Sequence, residues 1–221
     1  MPSPTLNIIA DVAGRFDELI ALVAKMPSAE FLFVGDLHDR GAQSKQVIEW
    51  VMENAKCLHS NHGDMFVDYY EQGGAYVDDI FLHNGGLETL KSYDVPLSYD
   101  LRTLVKNTRA KIPKEHIEWL KTRPFYYSNN EIFVSHASRW QSIYTEKTLK
   151  SLCETGPYNS DSLLWNRTMP LSLDGKFQVY GHNGRMEKFE DYAICIDDCF
   201  SKKLTGIHWP TKEIYQVAYK D

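Results

Sequence analysis

Residues 31–41 read FLFVGDLHDRG, four apolar residues that run directly into a glycine and a series of polar and charged side chains. A short apolar run that ends at a glycine predicts a buried strand, here Phe31 to Val34, followed by a loop. The run Leu6 to Ala10 ends at Asp11 in the same way, so Asp11 and Asp36 are both expected at strand ends. Loops at such ends carry the ligand sites of open α/β sheets, which makes the two acids candidate site residues.

Helical patterns alternate with these strands. The segment after Asp11 predicts a helix, because its apolar residues recur at the i, i+3, i+4, i+7 spacing of one buried face, and with its two strands it predicts a right-handed βαβ unit. A second helix is predicted over Ser44 to Asn54 and a third strand over Ala55 to His59, which leads into Ser60-Asn61-His62. The predicted buried faces are Phe16, Leu19, Ile20 and Val23 in the first helix and Val47, Ile48, Val51 and Met52 in the second.

The second half of the sequence is richer in strand patterns. A helical and loop-rich stretch, Asp64 to Lys121, precedes it, and the last strand patterns alternate, which favours antiparallel pairing. We therefore predict an α/β (α+β) fold of two mixed sheets packed face to face and flanked by helices. No linker or change of composition divides the chain, so residues 1–221 are expected to form a single domain. The predicted strands are Glu131 to Ser135, Phe177 to Tyr180, Ala193 to Ile196, Leu204 to Trp209 and Glu213 to Tyr219.

The overall composition argues against several classes of protein. The formal net charge of −6 disfavours an extended nucleic-acid interface, which needs clustered Lys and Arg. No apolar stretch is long enough to cross a bilayer and the N-terminus lacks a signal-peptide pattern, so we expect a cytoplasmic protein with no membrane partner. The cysteines are too scattered for a disulfide framework and are expected to be reduced and structural; they are Cys57, Cys153, Cys195 and Cys199. The oligomeric state is left open.

Metal-ligand residue types occur at the ends of the predicted strands. Carboxylate, amide and imidazole ligands together suit manganese, iron or zinc. An Asp or His after a strand is by itself more often a turn former or a helix cap than a ligand, so each position alone is weak evidence. The order and spacing of the segments carry the signal. The segments are Asp11, the GDxxDRG motif Gly35 to Gly41, Asn61-His62, His136 and Gly181-His182.

This series of motifs resembles the PPP-like branch of the calcineurin-like metallophosphoesterases, with GDxxDRG as its most specific part. Within that branch the sequence is most similar to the small bacteriophage lambda type of protein phosphatase, which indicates a bacteriophage or bacterial enzyme. The similarity extends to the stretches between the motifs and covers nearly the whole chain. These stretches are Leu82 to Gly86, Leu164 to Arg167, and Ala193 to Val217 with its Ile196-Asp197 pair.

The resemblance implies a site for two divalent metal ions, with manganese the foremost candidate and iron, zinc or nickel as alternatives. Asp36 would bridge both ions, and Asp11 would bind the first. The second ion would also be held by Asn61, His136 and His182. Two such ions can clamp a phosphoryl group and acidify a shared water to the hydroxide that attacks phosphorus in line.

The resemblance also implies which side chains handle the substrate. His62 would be the general acid that protonates the leaving oxygen, and Asp39 would hold its imidazole, because a neighbouring carboxylate favours the charged ring and orients it. Arg40 and Arg167, with Asn61, would bind the phosphate oxygens, since the guanidinium fork matches them in geometry and charge. Catalytic roles are thus expected for His62, Asp39 and Arg40. The remaining histidines are expected to be structural or solvent-facing: His38, His59, His83, His116 and His208.

The sequence departs from the family at residue 13, where Ala13 replaces the histidine that would bind the first ion. We therefore expect a weakened first site and sharply reduced activity. Natural divergence and a deliberate substitution both remain open, and His38 is the nearest histidine in the motif that could take over as a ligand. Gly63-Asp64 and Asn183 also differ from the family's residues, which bears on substrate preference rather than on metal binding.

The main functional hypothesis is a metal-dependent phosphatase acting on phosphate monoesters, either phosphorylated Ser, Thr or Tyr in proteins or small phosphoesters. Symmetrical dinucleoside tetraphosphate hydrolysis, or hydrolysis of a cyclic nucleotide, uses the same core chemistry and is an alternative. A further alternative is a catalytically dead phosphate-binding module that keeps one ion and both arginines. Selectivity is expected to come from Asp68 to Lys121, where the resemblance is loosest and loops would overhang the site.

Overall fold

The computed structural model describes residues 5–140, 162–172 and 174–220. In this part of the chain, two five-stranded sheets pack face to face and helices flank them, as predicted. The strands are β1 Leu6–Ile9, β2 Glu30–Phe33, β3 Lys56–Cys57, β4 Tyr126–Ser128, β5 Ile132–Ser135, β6 Phe177–Tyr180, β7 Glu187–Phe189, β8 Ala193–Cys195, β9 Lys203–Trp209 and β10 Glu213–Ala218. The helices are α1 Phe16–Val23, α2 Ser44–Asn54, α3 Asn61–Glu71, α4 Ala75–Phe81, α5 Leu87–Ser92, α6 Leu101–Lys111 and α7 Lys114–Lys121, with a π-helical turn at Leu82–Gly86 and a 3-10 turn at Cys199–Ser201.

Both sheets are mixed. The first has the order β10-β9-β1-β2-β3, in which β1, β2 and β3 run parallel and β9 is antiparallel to both β1 and β10. The second has the order β4-β5-β6-β8-β7, in which the three central strands run parallel and both edge strands are antiparallel to their neighbours. The predicted N-terminal βαβ unit and the predicted antiparallel C-terminal pair are therefore both present.

Side-chain alternation in β1 divides the apolar core into two layers. Leu6 and Ile8 lie between the two sheets, whereas Ile9 lies in the layer between the first sheet and the helices. Because β1 is covered on both faces, its sequence is apolar on both. Its polar residue, Asn7, is fully buried. The Asn7 amide is satisfied by hydrogen bonds of 2.7 Å to the Pro27 carbonyl and 2.7 Å to the His208 ring.

Helix α1 buries a different stripe from the one its spacing predicts. Leu19 and Leu22 are fully buried, but Ile20 is 39% exposed, so the prediction for Ile20 is wrong. The difference arises because the C-terminal end of the chain packs on the same helix. The backbone N–H of Lys220 donates to the Glu18 carboxylate at 2.9 Å, which buries Glu18 beside Leu19 and Leu22 and turns Ile20 outward.

Helix α2 has the predicted bounds, and three of its four predicted core residues are buried, while Met52 is half-buried. The third strand is only Lys56–Cys57, shorter than the predicted Ala55 to His59. It ends early because the His59 N–H donates to the Pro124 carbonyl at 2.8 Å rather than to a strand. Strands β4 and β7 were not predicted, since edge strands of three residues leave no readable alternation.

In the described residues no helix is both long and apolar enough to cross a membrane. Cys57, Cys195 and Cys199 are free thiols, in agreement with the reduced state predicted for them. Cys153 lies outside the described residues.

Gly35 connects the fold to the loop that carries Asp36. It has φ +118°, and a Cβ there would lie 2.4 Å from Ser60 Cβ and 3.2 Å from His136 Nδ1. Such a distance between carbon atoms is far inside van der Waals contact, so the close approach of the three loops requires a glycine at this position.

We expect Gly35→Ala to destabilise the protein strongly. The positive φ alone costs about 1–3 kcal/mol for a non-glycine residue, and the clash with Ser60 adds about 1–3 kcal/mol of overpacking. Gly74→Ala is the matched control, because Gly74 has φ +119° but open space within 4 Å of an added Cβ. Urea unfolding measures both, and equal losses of stability in the two variants would contradict the close-approach explanation.

Candidate metal centre and active site

The predicted site residues come from the carboxyl ends of strands in both sheets and lie together. Asp11 follows β1, Asp36 follows β2, His136 follows β5 and His182 follows β6. Backbone and side-chain contacts join the two sheets here, since the N–H of His182 donates to Asp11 Oδ2 at 3.0 Å and the His136 ring bonds to the Val34 carbonyl at 3.1 Å. The structure thus brings these residues together, and their roles as metal ligands stay a prediction.

Three buried side chains form a group that could hold a cation. The ligand atoms of Asp36, His136 and His182 all lie within 4.8 Å of one another. Asn61 joins them, because its Oδ1 lies 2.7 Å from His136 Nε2. Carboxylate and amide oxygens with two imidazoles are a donor set that manganese, iron and zinc accept.

The state of the two imidazoles fits a metal ligand. Burial lowers the pKa of His136, and burial followed by the charges of His136 and Arg167 lowers the pKa of His182 well below its usual range. Both rings are thus neutral near pH 7 and keep a lone pair for a metal. His182 Nε2 is buried with no hydrogen-bond partner among the described residues, a costly arrangement that a bound cation would relieve.

Asp36 and Asp11 differ in their electrostatic surroundings. Burial acts to raise the pKa of Asp36, but the imidazoles, with His62 first, outweigh it and hold that pKa below the usual range. Burial raises the pKa of Asp11 well above its usual range, and the carboxylates of Asp197 and Asp36 raise it further. Two carboxylates in a buried site oppose each other's ionisation unless a positive charge lies nearby. A bound cation would supply that charge.

Asp197 was noted in the sequence only as part of a similar stretch. It is buried, and its two oxygens accept backbone N–H groups, one from Gly184 and one from Cys199 at 3.1 Å. It therefore shapes the loop after His182 and adds negative charge next to Asp11. The sequence held no signal for this contact, because it depends on the return of the chain after β8.

Position 13 lies against the candidate centre but offers no ligand. The N–H of Ala13 donates to the Asp36 carbonyl at 2.9 Å, and Ala13 has φ +49°. His38 does not take its place in the three-residue group described above. Its Nδ1 lies 3.0 Å from Asp39 Oδ1 and its ring packs on Phe66 at 5.0 Å. A weakened first site at Ala13 stays a prediction.

His62 and Asp39 form a buried pair beside the cation group. Their Nδ1 and Oδ2 atoms are 2.5 Å apart, and the other ring nitrogen, Nε2, lies 3.7 Å from Asp36 Oδ2. Burial acts to lower the pKa of His62, but the charges of Asp36 and Asp39 and the hydrogen bond to Asp39 raise it above the usual value. Burial likewise acts to raise the pKa of Asp39, yet His38 and His62 hold it below the usual range. The imidazolium–carboxylate form is thus the favoured one.

Both predicted phosphate-binding arginines border this pair and the cation group. Arg40 Nη2 lies 3.2 Å from His62 Nε2, so a group that approaches that nitrogen also meets the guanidinium. Arg167 Nη1 donates to the His182 carbonyl at 3.0 Å from the side of the second sheet. Both residues are exposed, which leaves their guanidinium groups open to a ligand. Their substrate-binding role stays a prediction.

The N-terminus of α3 points into the site. Ser60 caps the helix by accepting the Gly63 N–H at 3.2 Å, and Asn61 and His62 occupy the first turn. The His62 N–H lies 3.3 Å from Asp36 Oδ1. Free N–H groups at a helix start favour anions, so the local field suits both the carboxylate and a phosphate.

The remaining histidines form contacts of their own. His59 bonds to Asp64 and His116 to Tyr93, while His83 is exposed on the outside of the helical region. The structural or solvent-facing places expected for them agree with these contacts.

Residues 4–184 match the family of calcineurin-like phosphoesterases. The chain belongs to this family. The resemblance inferred from the motifs is thus confirmed at the level of the family, while the kinship with the lambda type of protein phosphatase stays a prediction.

Bacterial relatives of this calcineurin-like phosphoesterase align over almost the whole chain. The bis(5'-nucleosyl)-tetraphosphatase PrpE [asymmetrical] of Bacillus subtilis (strain 168) is 28% identical over 240 residues, which cover 96% of this chain and 93% of the relative. The protein of the same name from Bacillus velezensis is 26% identical over 240 residues, which cover 96% of this chain and 91% of the relative.

Solved structures share the fold at lower identity. A crystal structure provisionally assigned as a diadenosine tetraphosphatase superposes with a TM-score of 0.66 at 16% identity, over 100% of this chain and 97% of that one. A Saccharomyces cerevisiae protein serine/threonine phosphatase superposes with a TM-score of 0.60 at 15% identity, over 100% and 82% of the two chains. At these identities the likeness concerns the fold alone.

We expect His182→Ala to weaken Mn²⁺ binding by more than about 100-fold. Loss of a residue that only supports a metal ligand costs about 10–100-fold in affinity, and loss of a ligand itself is expected to cost more. The variant removes His182 Nε2, the buried nitrogen that has no hydrogen-bond partner among the residues that the structure describes. Calorimetric titration with Mn²⁺ measures the change. His208→Ala removes a buried histidine that is bonded to Asn7 instead and serves as the control. Unchanged Mn²⁺ affinity in His182→Ala would remove this residue from the metal centre.

We expect Ala13→His to raise the number of bound ions per chain, because it restores an imidazole beside Asp36. Histidine is among the residues that tolerate a positive φ, so the backbone at φ +49° can accept it. Elemental analysis after equilibration with Mn²⁺ gives the stoichiometry, and p-nitrophenyl phosphate hydrolysis gives the turnover. Ala13→Phe adds bulk without a ligand and is the control; no gain in bound metal or turnover for the histidine would refute the lost-ligand explanation.

Proposed function

We propose that this chain hydrolyses phosphate esters and anhydrides with divalent metal ions at the Asp36–His136–His182 group. The observation that carries the proposal is the His62–Asp39 pair, whose second ring nitrogen, His62 Nε2, lies 3.7 Å from Asp36 Oδ2. Metal-dependent phosphoryl hydrolysis requires a cation-binding group and a proton donor close enough to contact the same phosphate. Bound divalent ions would supply positive charge against the phosphate oxygens and lower the pKa of an attacking water.

The side chains of the protein divide the remaining work. Arg40 and Arg167 would bind non-bridging oxygens of the phosphate, while Asn61 would contact it from the first turn of α3. His62 would give its Nε2 proton to the leaving oxygen, and Asp39 would keep the ring charged and oriented through Nδ1. These groups all act on one phosphoryl group and its leaving oxygen. They therefore do not determine which leaving group, and hence which substrate, is bonded to that oxygen.

Among substrates, a bis(5'-nucleosyl) tetraphosphate cleaved asymmetrically is the first candidate. Its support is the name of the relatives that align over 96% of this chain. This differs from the symmetrical cleavage considered from the sequence. Phosphate monoesters are the second candidate, favoured by the open position of both arginines, which suits a single terminal phosphate. A phosphate-binding module without turnover is the alternative that Ala13 supports.

A substrate panel with Mn²⁺ tests the proposal. We expect diadenosine tetraphosphate to yield ATP and AMP, which chromatography separates from the ADP of symmetrical cleavage. p-Nitrophenyl phosphate, a phosphopeptide and a cyclic nucleotide complete the panel. His62→Asn is expected to lower turnover by about 10²–10⁴-fold, the usual contribution of a general acid. Binding of phosphate without hydrolysis of any member, even at high Mn²⁺, would replace the enzyme proposal with the binding module.

A further inference from the structure

The segment Leu82–Thr89, formed by the π-helical turn and the start of α5, contacts the backbone of the GDxxDRG loop. The Gly85 carbonyl accepts the N–H of Arg40 at 3.2 Å, and the Thr89 hydroxyl accepts the N–H of Asp39 at 2.9 Å. Gly85 has φ +103°, and a Cβ there would lie 2.6 Å from the Arg40 nitrogen. Two consecutive amides of the loop are thus bound by one segment that lies far along the chain.

The Thr89 hydroxyl makes a second contact, to the side chain of the same aspartate. It donates to Asp39 Oδ1 at 2.6 Å while it accepts the Asp39 N–H. Both residues are fully buried. The other carboxylate oxygen, Oδ2, lies 2.5 Å from His62 Nδ1. Thr89 and His62 therefore hold opposite oxygens of one carboxylate, which fixes the plane of that carboxylate.

The local backbone explains why this support is needed. Asp39 and Arg40 have φ +72° and +62°, a conformation that non-glycine residues avoid. Holding both residues in this conformation is unfavourable, and tertiary contacts must offset that strain. Asp39 lies in neither a helix nor a strand, so the orientation of its carboxylate depends on the groups that bind it.

We propose that Thr89 is a positioning residue for the proton donor, acting through Asp39 to direct His62 Nε2 at the leaving oxygen. This inference rests on the proposed function. Thr89 touches no substrate; it holds Asp39 Oδ1 so that Oδ2 meets His62 Nδ1 in one orientation. Nothing in the sequence pairs Thr89 with Asp39, which lies 50 residues earlier.

Thr89→Val is the informative substitution, because valine has nearly the same shape and no hydroxyl. The fold is expected to survive it, since Ser44 Oγ also accepts the Asp39 N–H at 3.1 Å and His38 Nδ1 stays 3.0 Å from Asp39 Oδ1. What is lost is the shorter of the two contacts to Asp39 Oδ1, the hydrogen bond that the Thr89 hydroxyl donates at 2.6 Å. Thr89→Ser keeps the hydroxyl and is the conservative rescue.

Leaving-group dependence is the kinetic readout. Phenyl phosphate has a poor leaving group that needs the proton, whereas 2,4-dinitrophenyl phosphate has a good one that does not. We expect Thr89→Val to lower kcat about 10–100-fold on phenyl phosphate, as for other outer supporting contacts, with little change on the dinitrophenyl ester and in KM. Thr89→Ser is expected to restore wild-type behaviour. Equal losses on both esters would overturn the positioning role.

Thr108→Val is the matched control. Thr108 is also fully buried, but its hydroxyl donates to the Leu104 carbonyl at 2.9 Å within α6. We expect no dependence on the leaving group for this variant. The same selective loss in Thr108→Val would show a general effect of buried threonine loss and overturn the proposal.

The proton on His62 Nδ1 gives a readout that is independent of turnover. We expect its NMR signal to be protected from solvent exchange in the wild type and in Thr108→Val, and to broaden in Thr89→Val. An unchanged signal in Thr89→Val overturns the inference whatever the activity. A wild type that hydrolyses neither ester nor diadenosine tetraphosphate, yet shows this pattern, refutes the proposed function and leaves the pairing of Thr89, Asp39 and His62 established.

Discussion

The interlocked backbone of two strand-end loops is the constraint on which the site depends. Ala13 N–H donates to the Asp36 carbonyl and Gly14 N–H to the Leu37 carbonyl, each at 2.9 Å, while Gly41 N–H returns to the Ala13 carbonyl at 2.9 Å. A Cβ on Gly41 would lie 2.4 Å from the Ala13 oxygen, so the main chains of the two loops lie in direct contact here. The positions of the acids are set by backbone hydrogen bonds, which a change of side chain at residue 13 leaves intact.

This frame places charges where water cannot screen them. Asp36 and Asp39 are held ionised largely by imidazoles, His62 is favoured in its charged form, and Asp11 is pushed toward neutrality by burial and by its acidic neighbours. The balance is uneven, because burial and the neighbouring carboxylates raise the pKa of Asp11 by more than the hydrogen bond from the His182 N–H and the charge of Arg40 lower it. A cation at this end of the site would supply positive charge there, and a weaker hold on that cation because residue 13 is alanine stays a prediction.

The helical region between β3 and β4 contributes residues to the site and also supports residues of the site. Helix α3 presents Asn61 and His62 on its first turn, and the segment Leu82–Thr89 returns to hold Asp39 and Arg40. The prediction that the region Asp68 to Lys121 governs selectivity is untested, but the structure shows that part of it reaches the candidate catalytic groups. Substitutions in this region can therefore alter the orientation of those catalytic side chains as well as the shape of the cleft.

The sequence by itself determined the strand-end acids, the bounds of α2, the N-terminal βαβ unit and the family, because these follow from apolar periodicity and from motifs that are contiguous in the chain. It also named the side chains that meet around Asp36. Tertiary structure alone decided that Leu22 rather than Ile20 is buried, that β3 ends at Cys57, and that Thr89 bonds to Asp39. Each of these depends on a contact between segments that are far apart in sequence. Lys220 contacts α1, Pro124 contacts His59, and α5 contacts the GDxxDRG loop. A local sequence pattern contains no information about such partners.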